Sequence, residues 1–191
     1  MENEIDIPKA LCSSDTGAPF DRCMVCDKYL LEEGTSYFIE KSIRQHPGMQ
    51  AREVIFEYAV CLHCSLVMSE SLSEESRKRV SEYLMRNAQF ESRRDRLSNL
   101  ESLSIDHWID RCLIKDTPIA DAPEYQIVAQ CSGGKLQLQE TPFALSLEAM
   151  DELAELLSEQ SRREMDDFID THFSGPPELA DILRKRPPVL I

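Results

Sequence analysis

Cys23 and Cys26 are separated by two residues, and so are Cys61 and Cys64. A Cys-x-x-Cys turn sets two thiols on the same side of a point, and its backbone amides can donate to the sulfurs. Two such turns supply the four tetrahedral thiolates that zinc prefers. A catalytic zinc keeps one position open for water, usually beside three protein ligands, so Cys23, Cys26, Cys61 and Cys64 together point to one structural Zn2+. Binding of that ion would contribute folding free energy directly. Two other readings compete: cysteines buried as small apolar residues, or each pair acting as a reversible dithiol of the thioredoxin kind. The dithiol normally opens a helix in a βαβ context, which the residues around Cys23 do not provide. His63 lies inside the second pair and is expected at the surface.

The elements between the pairs must bring them together. The 34 residues from Asp27 to Val60 read as a β-hairpin: one strand from about Tyr37 to Arg44, a break at Gln45-His46-Pro47-Gly48, and a second strand from about Glu53 to Val60. Val54, Phe56, Tyr58 and Val60 share one face at the two-residue period of a strand. That hairpin returns Cys61 and Cys64 to the first pair. Ser71 with Glu74 fits a capping box, with Ser73 as an alternative cap, so a helix is expected to start there and bury Val80, Tyr83 and Leu84. Leu97, Leu100 and Leu103 continue a helical spacing after a break.

This succession of cysteine turn, hairpin, second cysteine pair and helix, over roughly residues 20–90, resembles the treble-clef class of zinc fold, with the zinc ribbon as nearest alternative. The resemblance implies that the last two ligands open a helix, which Cys61-Leu62-His63-Cys64 running into Ser65-Leu66-Val67-Met68 permits. The capping signal at Ser71–Ser73 departs from it by placing the main helix later. A nuclease of this class would need a catalytic histidine at the hairpin and further ligands on the helix, and the sequence does not place them.

The fold class expected for the whole chain is α+β: the zinc-bound hairpin with its helix, then a second β-hairpin and C-terminal helices. Pro118 and Pro123 interrupt regular structure between Asp116 and Glu124 and mark a junction. After it, strands at 125–130 and 136–139 flank Ser132-Gly133-Gly134-Lys135, a tight-turn signal. Ser146 caps a helix with the stripe Leu147, Met150, Leu153, Ala154 and Leu157, and Ser161 with Glu164 suggests a further cap before Met165, Phe168, Ile169 and Phe173. Gly175-Pro176-Pro177 stops that helix, and a short one spans Glu178 to Arg184. The organisation expected is an N-terminal arm over 1–20, a zinc-binding hairpin-helix module over 21–115 and a hairpin-helix module over 116–191, either separate or sharing one core. No internal repeat is evident apart from the two cysteine pairs.

The chain has 191 residues and a formal net charge of −14, with 35 acidic against 21 basic side chains. Every region is net negative, which repels phosphate backbones. Arg77, Lys78, Arg79, Arg86, Arg93, Arg94 and Arg96 form a basic stripe, but Glu75 and Glu82 precede Arg79 and Arg86 by four residues, the spacing of a salt-bridged helix face. The start of the chain lacks the basic head and apolar run of a secretion signal, and seven cysteines, in a reducing compartment, favour metal ligation over disulfides; a cytoplasmic protein is expected. Cys112 and Cys131 read as buried free thiols, and Trp108 as a core anchor beside a partly exposed His107. Asp151-Glu152 and Asp166-Asp167 read as a solvated face, and no phosphate-cradling glycine loop, Gly-x-Ser-x-Gly elbow or His-rich metallohydrolase motif is present. The leading functional expectation is a non-enzymatic, zinc-stabilised protein that binds a protein partner. Nucleic-acid binding through the zinc module and a thiol redox switch are the alternatives.

Overall fold

The strands follow from the two-residue alternation already visible in the chain. They are β1 (Glu4–Asp6), β2 (Ser36–His46), β3 (Ala51–Cys61), β4 (Glu124–Ser132), β5 (Lys135–Gln137) and β6 (Phe143–Ser146). A computed structural model describes residues 4–46, 51–98, 104–174, 177–185 and 187–188. All six strands join one antiparallel sheet in the order β1-β5-β4-β2-β3, with β6 also on β4. With its helices the chain is α+β, as its sequence predicts.

The β2–β3 hairpin runs from Tyr37 opposite Cys61 to His46 opposite Ala51, which carries the second cysteine pair back across the sheet. Pro47 and Gly48, expected to break the hairpin, lie outside the described residues. On its other edge β2 pairs β4 from Ser36 opposite Ser132 to Arg44 opposite Glu124. The sheet is therefore continuous across the junction expected near residue 116. β4 in turn shares its far edge between β5 at one end and β6 at the other. Between those two strands the Gln130 amide donates to Thr141 Oγ1 at 3.1 Å, so β4 keeps a partner where the ladder is interrupted. The glycine turn forms as expected, but its second strand is shorter than 136–139, and β6 was not anticipated.

The helices are α1 (Leu62–Ser71), α2 (Glu74–Asn87), α3 (Phe90–Ser98), α4 (Ile105–Ile109), α5 (Leu147–Glu155), α6 (Glu159–His172) and α7 (Pro177–Lys185). Two capping assignments need correction. Ser71 ends α1 and donates to Met68 O, while Ser73 is the cap of α2 and accepts from the Ser76 amide. Likewise α6 is capped by Ser158, which accepts from the Ser161 amide, three residues before the cap expected. Leu97 ends up buried in α3; Leu100, Leu103, Gly175 and Pro176 lie outside the described residues.

Residues 1–20, expected as an arm, contribute β1, paired with β5, and a fully buried Leu11. One buried cluster runs through both halves and includes Leu11, Tyr37, Ile39, Trp108, Ile127 and Ile169. Phe56 and Tyr58 of β3 meet Phe168 and Phe173 from α6 and the chain just after it, with ring centroids 5.7–6.4 Å apart. The N-termini of α2 and α6 meet in a serine cluster. The Ser73 amide donates to Ser161 Oγ at 2.9 Å, and the Ser158 amide donates to Ser76 Oγ at 2.8 Å.

Candidate metal centre

The first cysteine pair sits on a tight turn just before β2. The Asp27 amide donates to Cys23 O, the Cys23 amide donates to Lys28 O, and Arg22 bridges Tyr29 across the base. Closing this turn puts Asp27 at φ 58°, the left-handed region, which aspartate tolerates better than most side chains. The Met24 amide donates to Ala59 O at 2.9 Å and docks the turn on β3.

The second pair belongs to the junction of β3 and α1. Cys61 ends the strand with φ −65° and ψ 153° and occupies the N-cap position of α1, and Cys64 lies in the first helical turn. The helix that the treble-clef resemblance asked for is thus present at the cysteines, and the one capped by Ser73 is a separate helix, α2. The N-terminal end of a helix carries partial positive charge, which favours thiolates there.

The structure brings all four sulfurs within 4.8 Å of one another. Cys26 Sγ and Cys61 Sγ are 3.8 Å apart, against about 2.05 Å for a disulfide. For sulfurs at about 2.3 Å from a central ion, tetrahedral geometry sets the S···S edge at roughly 3.8 Å. All four cysteines are free thiols; Cys23, Cys61 and Cys64 are buried, and Cys26 is exposed. The donor set and its spacing therefore fit a metal ion.

The electrostatics point the same way. Burial pushes the Cys23 thiol up, but the amides of Cys61, Cys26 and Val25 outweigh it and hold Cys23 below the usual thiol range. The Cys61 amide reaches the Cys23 sulfur at 3.3 Å. Burial, then the neighbouring sulfurs, push Cys64 well above that range, and burial raises Cys61. Four sulfurs this close cannot all ionise without a cation between them, and a divalent ion removes the conflict.

The other residues singled out in the sequence lie elsewhere. His63 is exposed on α1. Cys112 and Cys131 are both free and buried, and burial pushes the Cys131 thiol up to about 12. Trp108 is a core side chain, with the Arg93 guanidinium 4.6 Å from its ring centroid. The basic stripe is dispersed: Arg79 pairs with Glu75, Arg86 with Glu82 and Arg96 with Asp110, while Arg93 is buried and donates to the carbonyls of Glu140 and Pro142. Glu152 pairs with Lys115, and Asp166 with Arg184. No described helix is long and apolar enough to cross a membrane.

An exposed apolar patch lies on the elements that carry the cysteines. Leu62, Leu66 and Val67 on α1, and Tyr29 beyond the first turn, are exposed large apolar side chains, Val67 at 53 %. A helical period through 62, 66 and 67 could have shown that they leave the cysteine face. Compared with protein-family models, with curated proteins and with solved structures, the chain matches none.

Proposed function

We propose that this chain is a non-enzymatic, zinc-stabilised interaction protein, with a single structural zinc on Cys23, Cys26, Cys61 and Cys64 and a protein partner received on the outer face of α1. The sulfur cluster carries this reading. Four thiolates fill a tetrahedral ion and leave no position for water or substrate, which is the pattern of a structural site. All-sulfur ligation favours zinc over the hard cations that take oxygen ligands. A turn supplying two ligands, a hairpin, and a helix whose N-cap and first turn supply the other two is the arrangement of a treble clef.

The partner face rests on Leu62, Leu66 and Val67, exposed along the helix that the metal would anchor. Rigid presentation of an apolar face is what tetrathiolate zinc would add to a short helix. Ion pairs engage Arg79, Arg86 and Arg96 of the basic stripe, Arg93 is buried, and the chain is strongly acidic, so a protein partner is preferred to nucleic acid.

Elemental analysis of the purified full chain should give one zinc per molecule, with loss of the metal in Cys61→Ser. Immobilised wild-type chain should then capture a protein that survives nuclease treatment. Leu66→Asp and Val67→Asp should release that protein while keeping the zinc. A metal-free wild-type chain would remove the zinc reading; capture of nucleic acid alone, or capture indifferent to both α1 variants, would remove the partner face.

A further inference from the structure

The hydrogen bonds that shape the cysteine turn recur once more in the chain, around Cys112. The Asp116 amide donates to Cys112 O as Asp27 does to Cys23 O, and the Cys112 amide donates to Thr117 O as Cys23 does to Lys28 O. Asp116 takes φ 52° where Asp27 takes 58°, and Arg111 bridges Pro118 as Arg22 bridges Tyr29. The Leu113 amide donates to Ala144 O at 2.8 Å, matching Met24 to Ala59 O at 2.9 Å. The Ser146 amide approaches Cys112 Sγ at 3.3 Å, the same distance as the Cys61 amide from Cys23 Sγ.

The strands and helices match in the same register. Tyr37 faces Cys61 and Ile39 faces Ala59 in one half; Tyr125 faces Ser146 and Ile127 faces Ala144 in the other. Cys61 and Ser146 each end a strand and occupy the N-cap position of a helix, α1 or α5. Ser73 and Ser158 cap α2 and α6, and the two serine pairs exchange amide-to-hydroxyl bonds reciprocally. The β2–β4 pair, antiparallel, joins the two halves like the axis of a dimer. The residues agree once the cysteines are set aside: Asp21-Arg22-Cys23-x-x-Cys26-Asp27 against Asp110-Arg111-Cys112-x-x-Lys115-Asp116, and Leu72-Ser73-Glu74-x-Ser76-Arg77 against Leu157-Ser158-Glu159-x-Ser161-Arg162. The internal repeat that the cysteine spacing did not show is thus present.

At the second site Cys112 keeps its place, Lys115 stands at the position of Cys26, Ser146 at that of Cys61 and Ala149 at that of Cys64. The Lys115 ammonium pairs with Glu152 and lies 3.4 Å from Glu148, both on α5, and Tyr83 of α2 donates to Glu152. We infer that the second half is a copy of the metal-binding half in which the ammonium of Lys115 ties turn to helix where a cation would, and that its backbone keeps the geometry of a latent four-ligand metal site in which only Cys112 of the four sulfurs is present. The inference rests on the zinc reading of the first site for the identity of the metal, and on the matched hydrogen bonds for its place.

The test is the full-length variant K115C/S146C/A149C. Elemental analysis after zinc loading and desalting should give two zinc ions per chain against one for the wild type, and adding Cys112→Ser should return the count to one. Cobalt(II) loading should double the intensity of the tetrathiolate bands. A wild type with no zinc would overturn the proposed function; a wild type with one and a triple variant also with one would overturn the latent site. A second measurement does not depend on the triple variant folding. In wild type, a chelator should accelerate hydrogen exchange of the Met24 and Asp27 amides and leave Leu113 and Asp116 protected. Lys115→Met should cost Leu113 and Asp116 about tenfold in protection. Protection in Lys115→Met unchanged from wild type, or loss of all four amides together on chelation, would show that the ammonium does not hold the second turn.

Discussion

Truncating Ser76 or Ser161 to alanine tests the symmetric serine cluster directly. Both side chains are fully buried, and each hydroxyl accepts the amide at the start of the opposite helix: Ser158 to Ser76 at 2.8 Å, Ser73 to Ser161 at 2.9 Å. Either change leaves a partly buried amide without its acceptor, a cost of about 1–3 kcal/mol. Alanine returns up to roughly 0.5 kcal/mol of helix propensity, so the net loss should be about 0.5–2.5 kcal/mol. At about 2–4 °C per kcal/mol for a chain of this size, the melting temperature should fall by about 1–10 °C. Because Ser73 Oγ and Ser158 Oγ also contact each other at 2.9 Å, the double variant should lose less than the sum of the two. Urea unfolding with excess metal, compared with the exposed Ser81→Ala, measures all three values. A shift no larger than the control's, or a full loss at one serine and none at the other, would refute the reciprocal arrangement.

Three further outcomes are expected. Gly133 adopts φ 53°, and a Cβ there would stand 3.1 Å from Glu32 O, so Gly133→Ala should destabilise by about 1–3 kcal/mol in the same urea assay. Lys41 is buried, lies 2.8 Å from Glu57 and donates to Cys12 O, so Lys41→Met strands a largely buried carboxylate and should cost about 3–5 kcal/mol. Burial pushes Glu57 up, but Lys41 and the Ser14 amide and hydroxyl outweigh it and hold the carboxyl below the usual range. Its folded-state value is therefore depressed, its contribution is present above about pH 4.3 and is lost as pH falls through the lower folded value. Urea midpoints from about pH 3 to pH 6 should decline less steeply in Glu57→Gln than in wild type.

The cysteine cluster was legible because ligand chemistry imposes a spacing, and the hairpin between the pairs because Val54, Phe56, Tyr58 and Val60 alternate. The cysteine pairs also hid the repeat. With the sulfurs taken as its signature, Lys115, Ser146 and Ala149 erased the second copy, although Asp-Arg-Cys and the aspartate four residues after that cysteine persist in both. Pro118, read in the sequence as part of a junction between modules, also closes the second turn against Arg111. The caps were misplaced for a related reason: a capping box looks for Glu or Gln at the third helical position. Here Ser76 and Ser161 hold that place, with hydroxyls that serve the neighbouring helix. β6 escaped notice because its edge of β4 is shared with β5, a division set by tertiary pairing.

The unequal fate of the two sites follows from what each helix buries. α5 places Ala149, Met150, Leu153 and Ala154 in the core, and a stripe of that kind holds a helix against a sheet unaided. Exchanging its cation for the Lys115 ammonium then removes little that the packing does not supply. α1 buries only Cys64, Ser65 and Met68 and turns Leu62, Leu66 and Val67 outward. Leu62, Leu66 and Val67 are on the wrong side for the core, which leaves Met68 and the cysteines to attach it. In the proposed arrangement, zinc fastens α1 by its first turn, and its apolar residues stay free for a partner. On that proposal, the metal stays with the half whose helix cannot be both packed inward and presented outward.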